Sequence, residues 1–117
     1  MFCNQCQETA KNTGCTIKGV CGKTEATSNI QDLLIHACRG LSLVTMAARR
    51  QGIDTRREGR HIADCLFMTI TNANFDDESI VRAIEACLAL RDELKKQGPR
   101  WRLARCGLLE RYRPGRV

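Results

Sequence analysis

The chain has 117 residues, enough for one domain with a modest core. No apolar run approaches the roughly 18 residues that cross a bilayer, so no membrane partner is expected. The net charge of +6 points toward nucleic acid, but the last 23 residues hold eight basic side chains against Glu110 alone, and the rest sums to about −1. The body is near neutral, and the basicity belongs to the tail.

The first 23 residues, MFCNQCQETAKNTGCTIKGVCGK, carry Cys3, Cys6, Cys15 and Cys21, separated by two, eight and five residues. Phe2, Ile17 and Val20 are nearly the whole apolar content of this segment, so an inorganic centre is expected to organise it. A Cys-x-x-Cys pair turns two thiolates toward one centre, and the later cysteines close a loop around it. Gly14, Gly19 and Gly22 free the backbone for close approach of amides, and amide donors near sulfur tune cluster potential. Lys11, Lys18 and Lys23 would offset thiolate charge and favour the deprotonated ligand. Glu8 lies inside the loop, either as a ligand or proton carrier or, more simply, as a carboxylate bonded to amides.

Three occupants fit this spacing to different degrees. Zinc is usually held by two Cys-x-x-Cys-like pairs, and only the first pair here has that form. Disulfides are disfavoured because no export signal precedes Cys3, which makes the cytoplasm the expected compartment and reduced thiols the expected state. An iron–sulfur cluster suits four cysteines in one short segment. Spacing favours iron–sulfur over zinc and leaves both open.

Residues 24–29 read as a helix start, with Ser28 or Asn29 as cap. Ile30, Leu33, Leu34, Ala37, Leu41, Val44 and Ala48 then recur at three and four, giving one long amphipathic helix. Gly40 costs about 1 kcal/mol inside it relative to Ala, which predicts close approach of another backbone or of the cysteine loop. Gly52 is placed to end the helix. A second helix is predicted from Asp54 or Thr55, with Thr55 and Glu58 as a capping box and Ile62, Leu66, Phe67 and Ile70 as its buried stripe. Residues 69–74 (TITNAN) read as a polar connector. A third helix follows the cap Asp76, with Ile80, Ile84, Cys87, Leu88 and Leu94 facing inward, and stops at Gly98-Pro99.

No strand pattern occurs. The expected fold is all-α, an antiparallel three-helix bundle with an amino-terminal cysteine-rich metal-binding loop. Residues 1–97 form the domain (loop 1–23, helices 28–97), and residues 98–117 form a basic, irregular tail. Cys38, Cys65 and Cys87 fall on or beside the helix stripes and read as small core filler. They would make a second metal site only if the helices converge. Cys106 in the tail reads as a free thiol, and His36 and His61 as ordinary helix histidines. No nucleophile–base pair, phosphate loop or paired catalytic carboxylate is recognisable, so no catalytic residue is assigned.

Several stretches together resemble one known family. They are Cys3-Asn4-Gln5-Cys6-Gln7-Glu8-Thr9-Ala10, Thr13-Gly14-Cys15-Thr16 and Gly19-Val20-Cys21-Gly22-Lys23. Further along come Ile30-Gln31-Asp32-Leu33-Leu34, Arg39-Gly40-Leu41-Ser42, Leu66-Phe67-Met68-Thr69 and Thr71-Asn72-Ala73-Asn74-Phe75-Asp76. The pattern is similar to the amino terminus of the hybrid-cluster (prismane) proteins, or hydroxylamine reductases, relatives of carbon monoxide dehydrogenases. The likeness fades near Lys96.

The resemblance implies that Cys3, Cys6, Cys15 and Cys21 bind a proximal cluster. It is [4Fe-4S] by the two, eight, five spacing, rather than the [2Fe-2S] of the subgroup with wider gaps. It also implies that the hybrid iron–sulfur–oxygen cluster and its ligands lie in later domains of longer proteins. The function expected is electron transfer toward that missing centre, with a redox-protein donor and the later domains as partners. The segment would not be active alone. A zinc-stapled interaction module whose tail touches nucleic acid is the alternative, and nucleic acid is the less expected partner. Because residues 98–117 contain six arginines, lack a clean period and fall outside the likeness, they are expected to be non-native, from a shifted frame or a truncation.

Overall fold

A computed structural model describes residues 3–70 and 75–97. Three helices make the body: α1 (Glu25–Arg50), α2 (Arg56–Ile70) and α3 (Asp77–Gln97). The bundle is antiparallel, and α1 packs on both others. Among the described residues there is no strand, only an isolated antiparallel bridge between Cys3 and Cys15. No helix among them is long and apolar enough to cross a membrane.

Helix α1 begins four residues earlier than Asn29. Thr24 is its cap, its hydroxyl accepting from the Thr27 amide at 3.2 Å. Ser28 and Thr27 are buried within the first turns rather than capping them. The helix follows Lys23 after a single residue, which ties the cysteine loop directly to the bundle. At its other end the Gly52 amide donates to the Arg49 carbonyl at 3.0 Å and the Ile53 amide to Ala48 at 3.2 Å. Gly52 has φ of 80°, the left-handed turn for which glycine is suited.

The buried face of α1 runs Thr27, Gln31, Leu34, Cys38, Leu41, Thr45 and Ala48, alternating steps of four and three. Glu58, Cys65 and Thr69 on α2 and Ile80, Ile84, Cys87, Leu90 and Leu94 on α3 complete the interior. Alternating steps of this kind let side-chain rows of neighbouring helices interlock. Several predicted core positions lie outside instead: Leu33 is 54% exposed, Leu66 41%, Phe67 62% and Leu88 38%. Each sits next to the true stripe, and its place inside is taken by a smaller or more polar residue such as Gln31, Cys65 or Thr69.

Among the described residues, and apart from the neighbouring backbone of α1 itself, no atom lies within 4 Å of the position a Cβ at Gly40 would take, so the expected close approach is not seen there. At the start of α2 the Asp54 carboxylate accepts the Arg56 amide at 3.1 Å, while the Thr55 hydroxyl accepts from Arg49 Nε at 3.1 Å. Thr55 thus links α1 to α2. Asp76 caps α3 as expected, its carboxylate accepting the Glu78 and Ser79 amides at 3.1 and 3.3 Å. Thr69 and Ile70 remain helical. Residues 71–74, the Gly98-Pro99 stop and the whole tail with Cys106 lie outside the described residues.

Candidate metal centres

The seven described cysteines are all free thiols, and they fall into two groups of opposite character. Cys3, Cys6, Cys15 and Cys21 lie in the amino-terminal loop. Its two ends are stitched by the bridge, with the Cys15 amide donating to the Cys3 carbonyl at 2.7 Å and the Cys3 amide to Cys15 at 3.4 Å. Between them a short 3-10 turn, η1 (Ala10–Asn12), is held by left-handed Lys11 and Asn12, with φ of 53° and 58°. A second turn spans Gly19 to Lys23, the Gly22 amide donating to Gly19 at 2.8 Å and the Gly19 amide to the Lys23 carbonyl at 2.9 Å. A side chain at Gly19 would meet Lys23 atoms at 3.1 Å and push Lys23 aside by a few tenths of an ångström, so glycine keeps this turn tight.

Lys23 is only 1% exposed. Its ammonium donates to Gln5 Oε1 at 2.8 Å and lies 3.9 Å from Cys3 Sγ. Lys11 and Lys18 are exposed, as is Glu8. Cys15 is buried, yet its thiol is held below the ordinary range. The amides of Ala10 and Val20 donate to its sulfur and favour the thiolate, Lys23 adds a smaller attraction, and burial opposes them. Cys21 is exposed, and Cys3 and Cys6 are intermediate. Among the described residues, no three of the loop thiols lie within 4.8 Å of one another.

The group that does come together is Cys38 from α1, Cys65 from α2 and Cys87 from α3, all fully inside. Their sulfurs lie within 4.8 Å of one another, with Cys38 to Cys87 at 3.7 Å and Cys65 to Cys87 at 3.9 Å. Burial pushes the Cys38 thiol up to about 11, and nearby Cys87 adds to it. Burial first, then Cys38 and Cys87, push Cys65 up as well. The Cys38 and Cys65 thiols stay protonated at neutral pH unless a cation takes the protons' place. His61 Nε2 stands 3.4 Å from Cys65 Sγ and 3.3 Å from the Ala83 carbonyl. His36 is exposed on α1, away from these groups. Sequence spacing could not show this convergence, because 26 and 21 residues separate the three cysteines and only the docking of the helices brings them level.

A helical bundle fronted by a loop of four cysteines, closed by glycine turns and furnished with amide donors and a buried lysine, is a small thiol-rich module with cysteines able to bind metal. A sequence model of the Prismane/CO dehydrogenase family matches residues 1–114, and the chain belongs to that family. A hydroxylamine reductase of Bacteroides thetaiotaomicron is 52% identical over 94 residues, which is 80% of this chain and 17% of that protein. One from Desulfitobacterium hafniense is 53% identical over 95 residues, 81% of this chain and 17% of its own length. A third, from Clostridium perfringens, is 52% identical over 97 residues, 83% of this chain and 18% of its own length. The chain thus spans about a sixth of the curated relatives it matches. The family match reaches into the tail, while these alignments cover 94 to 97 residues.

Proposed function

We propose that this chain is the electron-transfer segment of a hydroxylamine reductase, with Cys3, Cys6, Cys15 and Cys21 holding a [4Fe-4S] cluster at the head of α1. The observation that carries the reading is the treatment of Cys15 sulfur. A buried thiol with two amide donors and a depressed pKa is prepared to be a thiolate ligand. When bound, such a cluster accepts and returns single electrons at a potential set by hydrogen bonds to sulfur, net charge and exposure.

The chain's own residues supply those settings. Lys23 places a positive charge beside Cys3 without exposing it to water, and Gln5 fixes the ammonium. Gly19 and Gly22 let the loop turn tightly enough for the Val20 amide to face Cys15. Thr24 caps α1 one residue after Lys23, so the loop is anchored to the most buried helix of the bundle.

Reduction of hydroxylamine itself is assigned to parts of the longer relatives outside this chain. A centre whose irons all carry cysteine leaves substrate no open position. Leu66, Phe67 and Leu88, exposed in the bundle, are proposed to pack against those parts. A soluble redox protein in the cytoplasm is the proposed electron donor, and no role is proposed for nucleic acid. The test is anaerobic reconstitution followed by chemical reduction. Visible absorption that bleaches on adding about one electron per chain, with no ammonia formed from hydroxylamine above a free-iron control, is expected. A colourless protein holding stoichiometric zinc would contradict the assignment.

A further inference from the structure

The interior of the bundle contains a second set of sulfur ligands, independent of the amino-terminal loop. Cys38, Cys65 and Cys87 come from three different helices and are 2%, 1% and 0% exposed. Core filler alone does not require sulfur at one level on all three helices. We infer that Cys38, Cys65 and Cys87 form a buried site for a single thiophilic metal ion of the zinc class, with His61 as the fourth ligand.

The spacing matches the chemistry. A tetrahedral zinc with Zn–S of about 2.3 Å and Zn–N of about 2.0–2.1 Å sets its sulfurs about 3.8 Å apart and its sulfur and nitrogen about 3.5 Å apart. The observed sulfur pairs are 3.7 and 3.9 Å apart, and His61 Nε2 is 3.4 Å from Cys65 Sγ. His61 and Cys65 are four residues apart on α2, the spacing that puts two ligands on one helical face. His61 stands outside the group of atoms within 4.8 Å of one another, so closing the fourth position needs the imidazole to swing from the Ala83 carbonyl toward the sulfurs.

Access comes from the same side. His61 lines an open groove of about 630 Å³ between α2 and α3, whose walls include Arg57, Arg60, Asp64 and Glu93. The groove's lining holds His61 and none of the three cysteines, so an ion arriving through it meets the imidazole first. Each of the three thiols releases one proton to solvent as its sulfur binds. A divalent ion on three thiolates and a neutral imidazole leaves one net negative charge. No redox change occurs, and no further reactant is needed. Holding one ion by all three helices would clamp the bundle, which is how structural zinc contributes to folding.

The test uses the full chain with Cys3, Cys6, Cys15 and Cys21 all replaced by Ser, titrated anaerobically with cobalt(II) and then with zinc. One equivalent of cobalt is expected, with intense sulfur-to-metal absorption in the near ultraviolet and tetrahedral visible bands, displaced by one equivalent of zinc. Adding Cys65→Ala or Cys87→Ala should weaken binding at least 100-fold while circular dichroism still reports the helices. H61A should weaken it about tenfold or more and change the visible bands. Zinc should raise the melting temperature only where all three thiols remain. If the loop variant does not fold, C65A in the otherwise unaltered chain should lower cobalt uptake by one equivalent. A folded loop variant that takes up no cobalt, or uptake unchanged by C65A, would overturn the site.

Discussion

The loop and the bundle each gather cysteines, and they treat the same side chain in opposite ways. In the loop, Cys15 is aimed at by two backbone amides and lies near Lys23, and its thiol is easier to ionise than usual. In the bundle, Cys38 and Cys65 have lost water and gained chiefly other sulfurs, with His61 Nε2 beside Cys65, and their thiols are harder to ionise. The difference lies in whether burial is accompanied by donors. Desolvation alone keeps a thiol protonated, while desolvation with amide hydrogen bonds prepares a thiolate.

The largest expected effect comes from exchanging a residue on one side of this comparison for its counterpart. Cys15→Ser should abolish the cluster absorption entirely and leave the helical melt close to wild type, whereas Cys38→Ala should keep the absorption and cost the bundle about 1–2 kcal/mol. Paired visible spectra and denaturant titrations check this, and loss of colour in Cys38→Ala would merge the two groups. Next in size, Leu41→Ala, at a fully buried position, should cost about 2–5 kcal/mol of unfolding free energy, measured by urea titration. Thr24→Ala should cost about 1 kcal/mol through the lost cap. Because Thr24 joins loop to helix, that variant should also release the cluster sooner on dilution into chelator.

A smaller effect separates the groups by pH. In the metal-free protein Cys38 faces Cys65 from α2 and Cys87 from α3, with His61 on the far side against Cys65, and its pKa is raised to about 11 from an ordinary 9.0. The folded state therefore holds its proton after the unfolded state has lost it. This stabilisation is fully present below about pH 9 and is lost as pH rises toward about 11. Denaturation midpoints of the metal-free chain should fall over that window, and less steeply in Cys38→Ala. An equal slope in both would show that the sulfurs are not desolvated as described.

Much of the architecture was legible in sequence because caps and period are local. Asp76 caps α3 where its position said it would, and Gly52 closes α1 with a positive φ. Face assignment failed where polarity misled. Gln31 and Thr45, which the apolar stripe leaves out, lie inside, and Leu33, Phe67 and Leu88 read as core but lie outside. In a piece that spans a sixth of its relatives, apolar residues need not all face its own core. The amino-terminal cysteines were legible because their ligand set is contiguous. The meeting of Cys38, Cys65 and Cys87 was not, since it depends on how three helices dock.

The most direct measurement of the central claim is the iron and acid-labile sulfide content of the full chain purified without oxygen. About four irons and four sulfides per chain, lost together in Cys6→Ser and retained in Cys87→Ala, is the predicted result. About two of each would replace the four-iron cluster with a two-iron one. No sulfide, with zinc in the loop, would contradict the account.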